Sequence, residues 1–294
     1  MDTVRLKAYA KINLGLDVIR RREDGYHEVR MIMQTIGLYD KISINPTNNP
    51  SIKVKTNLHY LPTDRNNLVY KAAALMKETY HIKDGVYIHL EKRIPVAAGM
   101  AGGSSDAATT LYGMNRLFHL KLSNEELLKL AIQLGADVPY CIMRGTALSE
   151  GIGEILTPLP PFPSCHVLIA KPNINVSTKF VYENLHLDSV THHPDIDGIM
   201  KHIKEQDLYG ASKYFGNVLE TVTEKEYPII KDIKTKMLDN GAIVSLMSGS
   251  GPTVFGLFDD IKTAEKAFYD FKVSPLGKQV YLTNLFHPDT NKFV

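Results

Sequence analysis

The residues best suited to chemistry form one glycine- and serine-rich stretch, Gly99 to Asp106. Its three glycines allow backbone N–H groups to converge on an anion, and a helix that follows would add the positive end of its dipole. Ser104 and Ser105 supply hydroxyl donors, and either could also face a metal ion. This combination predicts a cradle for phosphate groups.

Two common phosphate motifs do not match this stretch. No Gly-Lys-Ser/Thr closes it, which excludes a Walker A loop, and its glycine spacing is not that of a dinucleotide-binding fingerprint. The alternative is a tight helix-entry loop in which Gly and Ser serve only turn and cap geometry. A second loop, Ser248 to Pro252, has similar residues, but alone it is more typical of an ordinary hairpin turn.

Two charged residues stand out by their position in the sequence. Asp137 follows a predicted helix end, and we expect Pro139 to keep the chain extended so that the carboxylate points into a cleft. The alternative is an Asp that only caps or turns the chain. Lys11 is a lone charge between strand-like runs, and its alternative is a surface lysine whose stem covers apolar residues.

The first part of the chain is rich in strand signals. Short β-branched runs separated by turn residues predict strands at Val4 to Tyr9, Asn13 to Val18, Val29 to Ile36, Lys41 to Ile44 and Ile52 to Thr56. A helix from Leu68 to Thr79 and a strand from Val86 to Leu90 should follow. Glycines and a proline exclude regular structure from Ile94 until the end of the glycine-rich stretch.

Helices and strands alternate less regularly after that stretch. Ala107, Leu111, Met114 and Phe118 recur at helical spacing, and Ser123 to Glu126 forms a capping box for a further helix, which Gly135 should close. The remaining expected elements are a strand at Val167 to Ala170, a helix from Pro228 to Leu238, strands at Ala242 to Met247 and Thr253 to Phe258, a helix near Thr263 to Phe271 and a strand at Gln279 to Leu282. The proline-rich segment Thr157 to Ser164 marks the predicted boundary between two α+β lobes.

Composition and charge exclude several classes of protein. With 294 residues, 44% hydrophobic and 22% charged, the chain is unlike collagen-like, mucin-like or disordered sequences. Its formal net charge of +2 argues against a dedicated nucleic-acid binder but permits small anionic ligands. The two cysteines lack zinc or disulfide spacing, and neither a secretion signal nor a membrane span is visible, so we expect a cytoplasmic protein.

Several segments resemble the motifs of a known family. Ala8 to Leu14, Ile94 to Ser105 and Gly249 to Thr253 resemble the three motifs of the GHMP kinases, which include galacto-, homoserine, mevalonate and phosphomevalonate kinases. Ala97, Ala98 and Ala101 stand where the wider family pattern often has Gly or Ser. Asp24 to Glu28, Gly135 to Pro139 and Glu150 to Glu154 narrow the resemblance to the branch that acts on a cytidine diphosphate-linked methylerythritol.

The resemblance implies a fold and an activity. It implies an amino-terminal lobe like ribosomal protein S5 domain 2, residues 1–160, and a ferredoxin-like carboxy-terminal lobe, residues 161–294, with the active site in the cleft between them. It also implies transfer of a phosphoryl group from ATP, accompanied by Mg²⁺, to the 2-hydroxyl of the methylerythritol unit. We expect only these small molecules as partners, with neither nucleic acid nor membrane, and a monomer or homodimer.

The same resemblance assigns roles to residues. It makes Asp137 the catalytic base and Lys11 its electrostatic partner, with Asn13 contacting the substrate beside it. Tyr26, His27 and Tyr182 would form the cytidine pocket. The ATP side would comprise Asn67 and Leu68 with the phosphate loop, which contains Pro95, Val96, Ala97, Ala98, Gly99, Met100, Ala101, Gly102, Gly103, Ser104 and Ser105.

The metal ligands and the rival functions stay open at this stage. The sequence contains no dedicated carboxylate cage for Mg²⁺, so the metal ligands are open, with Ser105 and Asp137 as possibilities. The first rival function is another GHMP kinase that acts on homoserine or a mevalonate derivative. The second is a non-catalytic nucleotide binder, although such a protein would need neither Lys11 nor Asp137. An RNA-binding protein on a ribosomal-protein-like fold is disfavoured by the balanced charge.

Overall fold

The computed structural model describes residues 3–288, which form two β-sheets with helices packed around them. The strands are β1 (Val4–Arg21), β2 (His27–Thr47), β3 (Ile52–Thr56), β4 (Gly85–Glu91), β5 (Thr146–Glu150), β6 (Ile155–Pro158), β7 (His166–Lys171), β8 (Gly216–Asn217), β9 (Val244–Met247), β10 (Val254–Phe258) and β11 (Gln279–Asn284). The helices are α1 (Leu68–Thr79), α2 (Gly102–Leu117), α3 (Asn124–Ala131), α4 (Val138–Met143), α5 (Thr178–Glu183), α6 (Ile196–Lys204), α7 (Leu208–Ser212), α8 (Glu220–Glu226), α9 (Ile229–Asp239) and α10 (Ile261–Val273).

The first sheet is organised around the long antiparallel pair of β1 and β2. Its strand order is β3-β4-β2-β1-β8, and β5 also pairs with β2 and in turn with β6. Irregular register steps in the β1–β2 pairing, for example between Tyr9 and Lys11 and between Asn13 and Gly15, let both strands continue where simple strands would end. The four short strands predicted for this region are therefore two long ones.

The second sheet has the topology expected from the resemblance. Its elements follow the sequence β7, α9, β9, β10, α10 and β11, and the strand order is β11-β7-β10-β9 with antiparallel pairing throughout. This is the split β-α-β arrangement of ferredoxin-like domains. The expectation of an α+β protein with a ferredoxin-like second lobe is confirmed.

The two sheets are not formed by two consecutive halves of the chain. The chain passes from the first sheet to the second between Pro158 and His166, within the proline-rich segment, but β8 returns and pairs in parallel with β1 at Gly15 and Leu16. Helix α6 packs closely over the same point, since a Cβ on Gly15 would lie 2.7 Å from Ile199 Cδ1. The division at residue 160 stays a prediction.

Local signals fixed several helix ends. Helix α1 has the predicted limits, and its cap is Asn67, whose side chain accepts from the Val69 amide. The capping box of Ser123 and Glu126 is present at the start of α3, but that helix ends at Ala131, four residues before the predicted closing glycine. Contrary to the prediction, α2 begins within the glycine-rich stretch at Gly102.

A shared apolar core joins the lobes. Ile12 and Leu14 of β1 belong to the same buried cluster as Ile169 of β7, Ile199 of α6 and Phe255 of β10. Burial of side chains from both sheets in one cluster fixes the relative position of the lobes, and with it the cleft between them. In residues 3–288, no helix has the length and apolar character needed to cross a bilayer.

Candidate active site

A cavity of about 1120 Å³ lies between the lobes and collects most of the predicted site residues. Its walls include Lys11, Asp137, the aromatic residues 26, 27 and 182, and the chain from Pro95 to Ser104. Asn67 and Leu68 line it as well. Asn13 and Ser105 do not: each is 1% exposed, and Ser105 lies inside the first turn of α2.

The phosphate loop ends in the open N-terminus of α2. The amide of Ser105 is the first to bond within the helix, to the Ala101 carbonyl at 2.8 Å, which leaves the amides of residues 102–104 without an intrahelical acceptor. Ala101 occupies the cap position without a side-chain hydrogen bond to the helix. A 16-residue helix therefore presents free N–H groups and the positive end of its dipole on the cavity wall.

The path of this loop explains why the wider family often has glycine there. Ala97 and Ala101 have φ values of 50° and 52°, in the left-handed region that disfavours residues with a Cβ. The surrounding structure holds them in place, and the Met100 carbonyl accepts a hydrogen bond from the Lys11 amide at 3.2 Å. The loop is thus attached to the strand that carries Lys11.

The second glycine loop, residues 248–252, packs directly on the phosphate loop. The Ser248 hydroxyl donates to the Gly99 carbonyl at 3.0 Å, and Gly249 and Ser250 line the cavity. A Cβ on Gly99 would lie 2.0 Å from the Ser248 carbonyl oxygen, so only glycine permits this approach. The hairpin-turn interpretation of residues 248–252 is incomplete, because the loop also forms part of the site.

A buried ion cluster, which the sequence did not reveal, lies beside the N-terminus of α2. Lys92 Nζ contacts the carboxylates of Asp40 and, at 2.7 Å, Asp106. Burial lowers the pKa of Lys92, but the two negative charges outweigh it and the net effect is a raised pKa. Burial raises the pKa of Asp106 well above its usual range, and its Oδ1 has no hydrogen-bond partner within residues 3–288. Lys92 and Asp106 both line the cavity.

Lys11 and Asp137 both line the cavity. Lys11 is 5% exposed and donates to Asn13 Oδ1 at 2.7 Å. Burial raises the pKa of the Cys141 thiol, the charge of Asp137 raises it further, and that of Lys11 lowers it. Both charged groups therefore lie within electrostatic range of one thiol.

The Asp137 side chain is not used to cap a helix, although the prediction of an extended backbone after it was wrong. The chain after it is the helix α4, with Pro139 in the first turn, rather than extended. Proline is tolerated there because the first-turn amides lack intrahelical acceptors. Asp137 holds the N-cap position without a capping hydrogen bond from its side chain, so its carboxylate is not committed to the helix.

Three aromatic side chains, Tyr26, His27 and Tyr182, also line the cavity. The rings of His27 and Tyr182 touch, with centroids 5.1 Å apart and an interplanar angle of 36°, whereas Tyr26 is 61% exposed. Burial and then the nearby Arg21 charge lower the pKa of His27, which favours the neutral imidazole. Because these two rings touch, no nucleobase can lie between His27 and Tyr182. The rings of Tyr26 and Tyr182 are the ones available for stacking on a nucleobase.

Asn67 and Leu68 form a corner of the cavity next to α2. Asn67 uses its side chain for structure: Oδ1 caps α1, and Nδ2 donates to the Pro62 carbonyl at 2.8 Å. Leu68 supplies an apolar wall close to Gly103. These contacts make the corner rigid and largely apolar, as a pocket for a planar heterocycle requires.

Comparison with known proteins agrees with this geometry. The family model described as GHMP kinases N terminal domain matches residues 67–145, and that described as GHMP kinases C terminal matches residues 192–272. The chain belongs to the GHMP kinases. Like other members of this family, it is an ATP-dependent kinase, and the two-lobe fold expected from its motifs is the family fold.

Individual GHMP kinases resemble the chain over nearly its full length. A protein of Lachnoclostridium phytofermentans named 4-diphosphocytidyl-2-C-methyl-D-erythritol kinase is 65% identical over 97% of this chain and 98% of its own length. One of the same name from Lachnospira eligens is 57% identical over 98% and 100%. A crystal structure of 4-(cytidine 5'-diphospho)-2C-methyl-D-erythritol kinase is 32% identical, with a TM-score of 0.83 over 97% of this chain and 100% of that one.

Proposed function

We propose that this kinase transfers the γ-phosphoryl group of ATP to the 2-hydroxyl of 4-diphosphocytidyl-2-C-methyl-D-erythritol, a step of the non-mevalonate route to isoprenoid precursors. The names of its close relatives support this substrate. The observation that carries the proposal is that one cavity contains the open N-terminus of a helix, a buried lysine, an aspartate and an aromatic cluster.

In this scheme the phosphate loop holds the ATP phosphates. The free amides at the start of α2 donate to phosphate oxygens, and the apolar corner at Leu68 receives the adenine. Because the loop is fixed by Lys11 on one side and Ser248 on the other, these donors are in place before ATP binds.

Asp137 accepts the proton of the acceptor hydroxyl as that oxygen attacks phosphorus. Its carboxylate lines the cavity and makes no competing capping bond, so it is available as a base. The Lys11 ammonium, oriented by Asn13, stabilises the negative charge that develops on the alkoxide and on the transferring phosphoryl group. A direct contact of Asn13 with the substrate stays a prediction, since what we observe is its bond to Lys11.

The aromatic residues recognise the cytidine end of the acceptor. Tyr182 and Tyr26 provide two faces for the base, and the neutral imidazole of His27 supplies a donor and an acceptor for its edge. Binding energy from this remote group positions the hydroxyl that reacts. The placement of the three side chains on one wall supports these roles.

The residues present also fit a magnesium ion that arrives with ATP. Within residues 3–288, no cluster of three His, Cys, Asp or Glu side chains could hold a metal alone. Mg²⁺ usually needs only one or two protein oxygens beside phosphate and water, and the Ser104 hydroxyl provides such an oxygen on the cavity wall. When bound, the ion would neutralise phosphate charge.

A coupled kinase assay tests the proposal. Purified protein, ATP and Mg²⁺ are combined separately with the cytidyl diphosphate substrate, homoserine and mevalonate, and ADP release is followed. We expect turnover with the first acceptor only, since the other two offer nothing to the aromatic wall. Equal or faster turnover with homoserine or mevalonate would refute the substrate assignment. Cytoplasmic location, monomeric or homodimeric state and lack of nucleic-acid binding stay predictions from the sequence.

A further inference from the structure

We propose that Asn217, a residue outside the cavity wall, is a positioning residue for ATP: it fixes the second glycine loop, which in turn fixes the phosphate loop. The proposal deepens the function proposed above, because it concerns how the same site presents its donors to the nucleotide. It is carried by the hydrogen bonds of one buried amide and by the packing of the two loops.

Every hydrogen-bonding atom of the Asn217 side chain is engaged. Its Nδ2 donates to the carbonyls of Met247 and Gly249, each at 2.8 Å, and its Oδ1 accepts from the Leu219 amide at 3.0 Å. The residue is 6% exposed. A buried amide that bridges the carbonyl at the end of β9 and a carbonyl of the loop determines the course of that loop, since losing the donors would leave both carbonyls unsatisfied.

A second anchor holds the same loop from the other side. Glu220 accepts from the Met247 amide at 2.7 Å and is itself paired with Lys234 at 2.5 Å. Met247 therefore has its amide bound to Glu220 and its carbonyl bound to Asn217. The strand end that enters residues 248–252 is held at both polar groups.

The held loop then acts on the phosphate loop. Ser248, the residue after Met247, donates its hydroxyl to the Gly99 carbonyl at 3.0 Å, and the two backbones approach so closely that Gly99 has no room for a Cβ. Any shift of residues 247–249 must move residue 99 or break this contact. The free amides of α2 begin at Gly102, three residues after Gly99 along the chain.

The position of Asn217 also relates the phosphate loop to the catalytic strand. Strand β8 pairs with β1 through Gly216 with Gly15 and Asn217 with Leu16. Lys11 lies on the same strand β1, so Asn217 spans the distance between the strand that carries the ammonium and the loop that carries the phosphate donors. An error of about 1 Å in such an arrangement can cost on the order of 100-fold in rate.

The test compares Asn217→Asp with the matched variant Asn240→Asp. The first replaces the two donors by an acceptor facing two carbonyls. Asn240 likewise donates to a carbonyl, that of Lys236, but at the end of α9, away from the cavity wall. For Asn217→Asp we expect KM for ATP to rise about 10-fold or more and kcat to fall about 10-fold or more, with the dissociation constant of the cytidyl substrate changed less than about 2-fold. Asn240→Asp should leave all three constants unchanged.

Two results would overturn the proposal. One is an Asn217→Asp protein that is less stable but has unchanged KM for ATP and kcat, because the residue would then be only structural. The other concerns the double variant Asn217→Asp/Ser248→Ala. Ser248→Ala breaks the Ser248–Gly99 contact directly, so we expect the double variant to raise KM for ATP little more than either single variant does. Fully additive effects of the two substitutions on KM would overturn the proposal. If Asn217→Asp does not fold, Ser248→Ala alone must still raise KM for ATP for the proposal to stand.

Equilibrium binding separates this inference from the proposed function. The affinity of each variant for ATP is measured by calorimetry without an acceptor, so it does not depend on the acceptor's identity. A wild-type protein that fails to phosphorylate the cytidyl substrate, together with weakened ATP binding by Asn217→Asp, would refute the proposed acceptor and support the positioning role.

Discussion

The Lys11 ammonium donates to Oδ1 of Asn13 at 2.7 Å, and both side chains are almost fully buried. The two residues are two positions apart on β1 and so share one face of the strand. Asn13 Nδ2 lies 3.5 Å from Met31 Sδ, which defines how the amide is turned. Asn13 therefore holds the ammonium at one point of the cavity wall.

Lys11→Met should reduce kcat by about 100-fold to 1,000-fold, because the substitution keeps the length of the side chain and removes the charge. Steady-state kinetics measures the effect. The control is Lys171→Met, which removes another buried ammonium that donates to carbonyls, at Pro172 and Ile174, and does not line the cavity. The control should lose stability and keep its kcat. Equal kcat for the Lys11 variant and the wild type would remove Lys11 from the mechanism.

Asp137→Ala and Asp260→Ala should show opposite effects. Asp137 makes no capping bond, so its loss should lower kcat by about 100-fold to 10,000-fold at little cost in stability. Asp260 caps α10 by accepting from the Thr263 amide, so its loss should lower the free energy of unfolding by about 1 kcal/mol and leave kcat unchanged. Urea unfolding and the coupled assay distinguish the two. A kcat preserved in Asp137→Ala contradicts the role as base.

His27 should titrate below its ordinary value of 6.5, because burial and then the Arg21 charge disfavour the protonated ring. The ring is then neutral at pH 7, and cytidine binding should weaken only as the pH falls below 6.5. NMR titration of the imidazole measures the pKa. Arg21→Gln should raise it by removing a positive charge, whereas Arg20→Gln, which removes an arginine paired with Glu28, should not. A midpoint at or above 6.5 in the wild type would contradict the assignment.

Gly99→Ala should destabilise the protein by about 2–4 kcal/mol, since the new Cβ adds a clash with the Ser248 carbonyl to the cost of a left-handed backbone. Gly25→Ala is the matched control. Gly25 also has a positive φ, but beyond its chain neighbours no atom of the described part of the chain lies within 4 Å of the added Cβ, so the loss should be about 1 kcal/mol. Urea unfolding compares them. Equal losses would show that the approach of the two glycine loops is not tight.

Local signals account for what could be predicted of the fold. The limits of α1 follow from Asn67 and the apolar spacing after it, and the start of α3 follows from its capping box, because both signals are contained within a few residues. The continuity of β1 and β2 could not be predicted in this way. It depends on irregular pairing between residues distant in sequence, such as Lys11 and Thr35.

The site shows the same limit. Residues in compact motifs, such as Gly99 and Asp137, were identified from the sequence and lie on the cavity wall. Lys92 was not identified, since its partners Asp40 and Asp106 are 52 and 14 residues away, and a lysine beside an arginine gives no sign of burial. Asn217 was missed for the same reason, as it bonds residues 30 and 32 positions further along the chain.

The buried cluster that includes Ile12, Ile169 and Phe255 has a consequence for how ligands enter. A hinge that opened the cleft would have to expose these side chains to water, and burying apolar surface contributes about 25 cal/mol per Å² to holding it shut. The two lobes should therefore move together as one rigid body. Binding and release of the nucleotide and the acceptor then depend on local movements at the edge of the cavity. The exposed turn that carries Tyr26 lies at this edge.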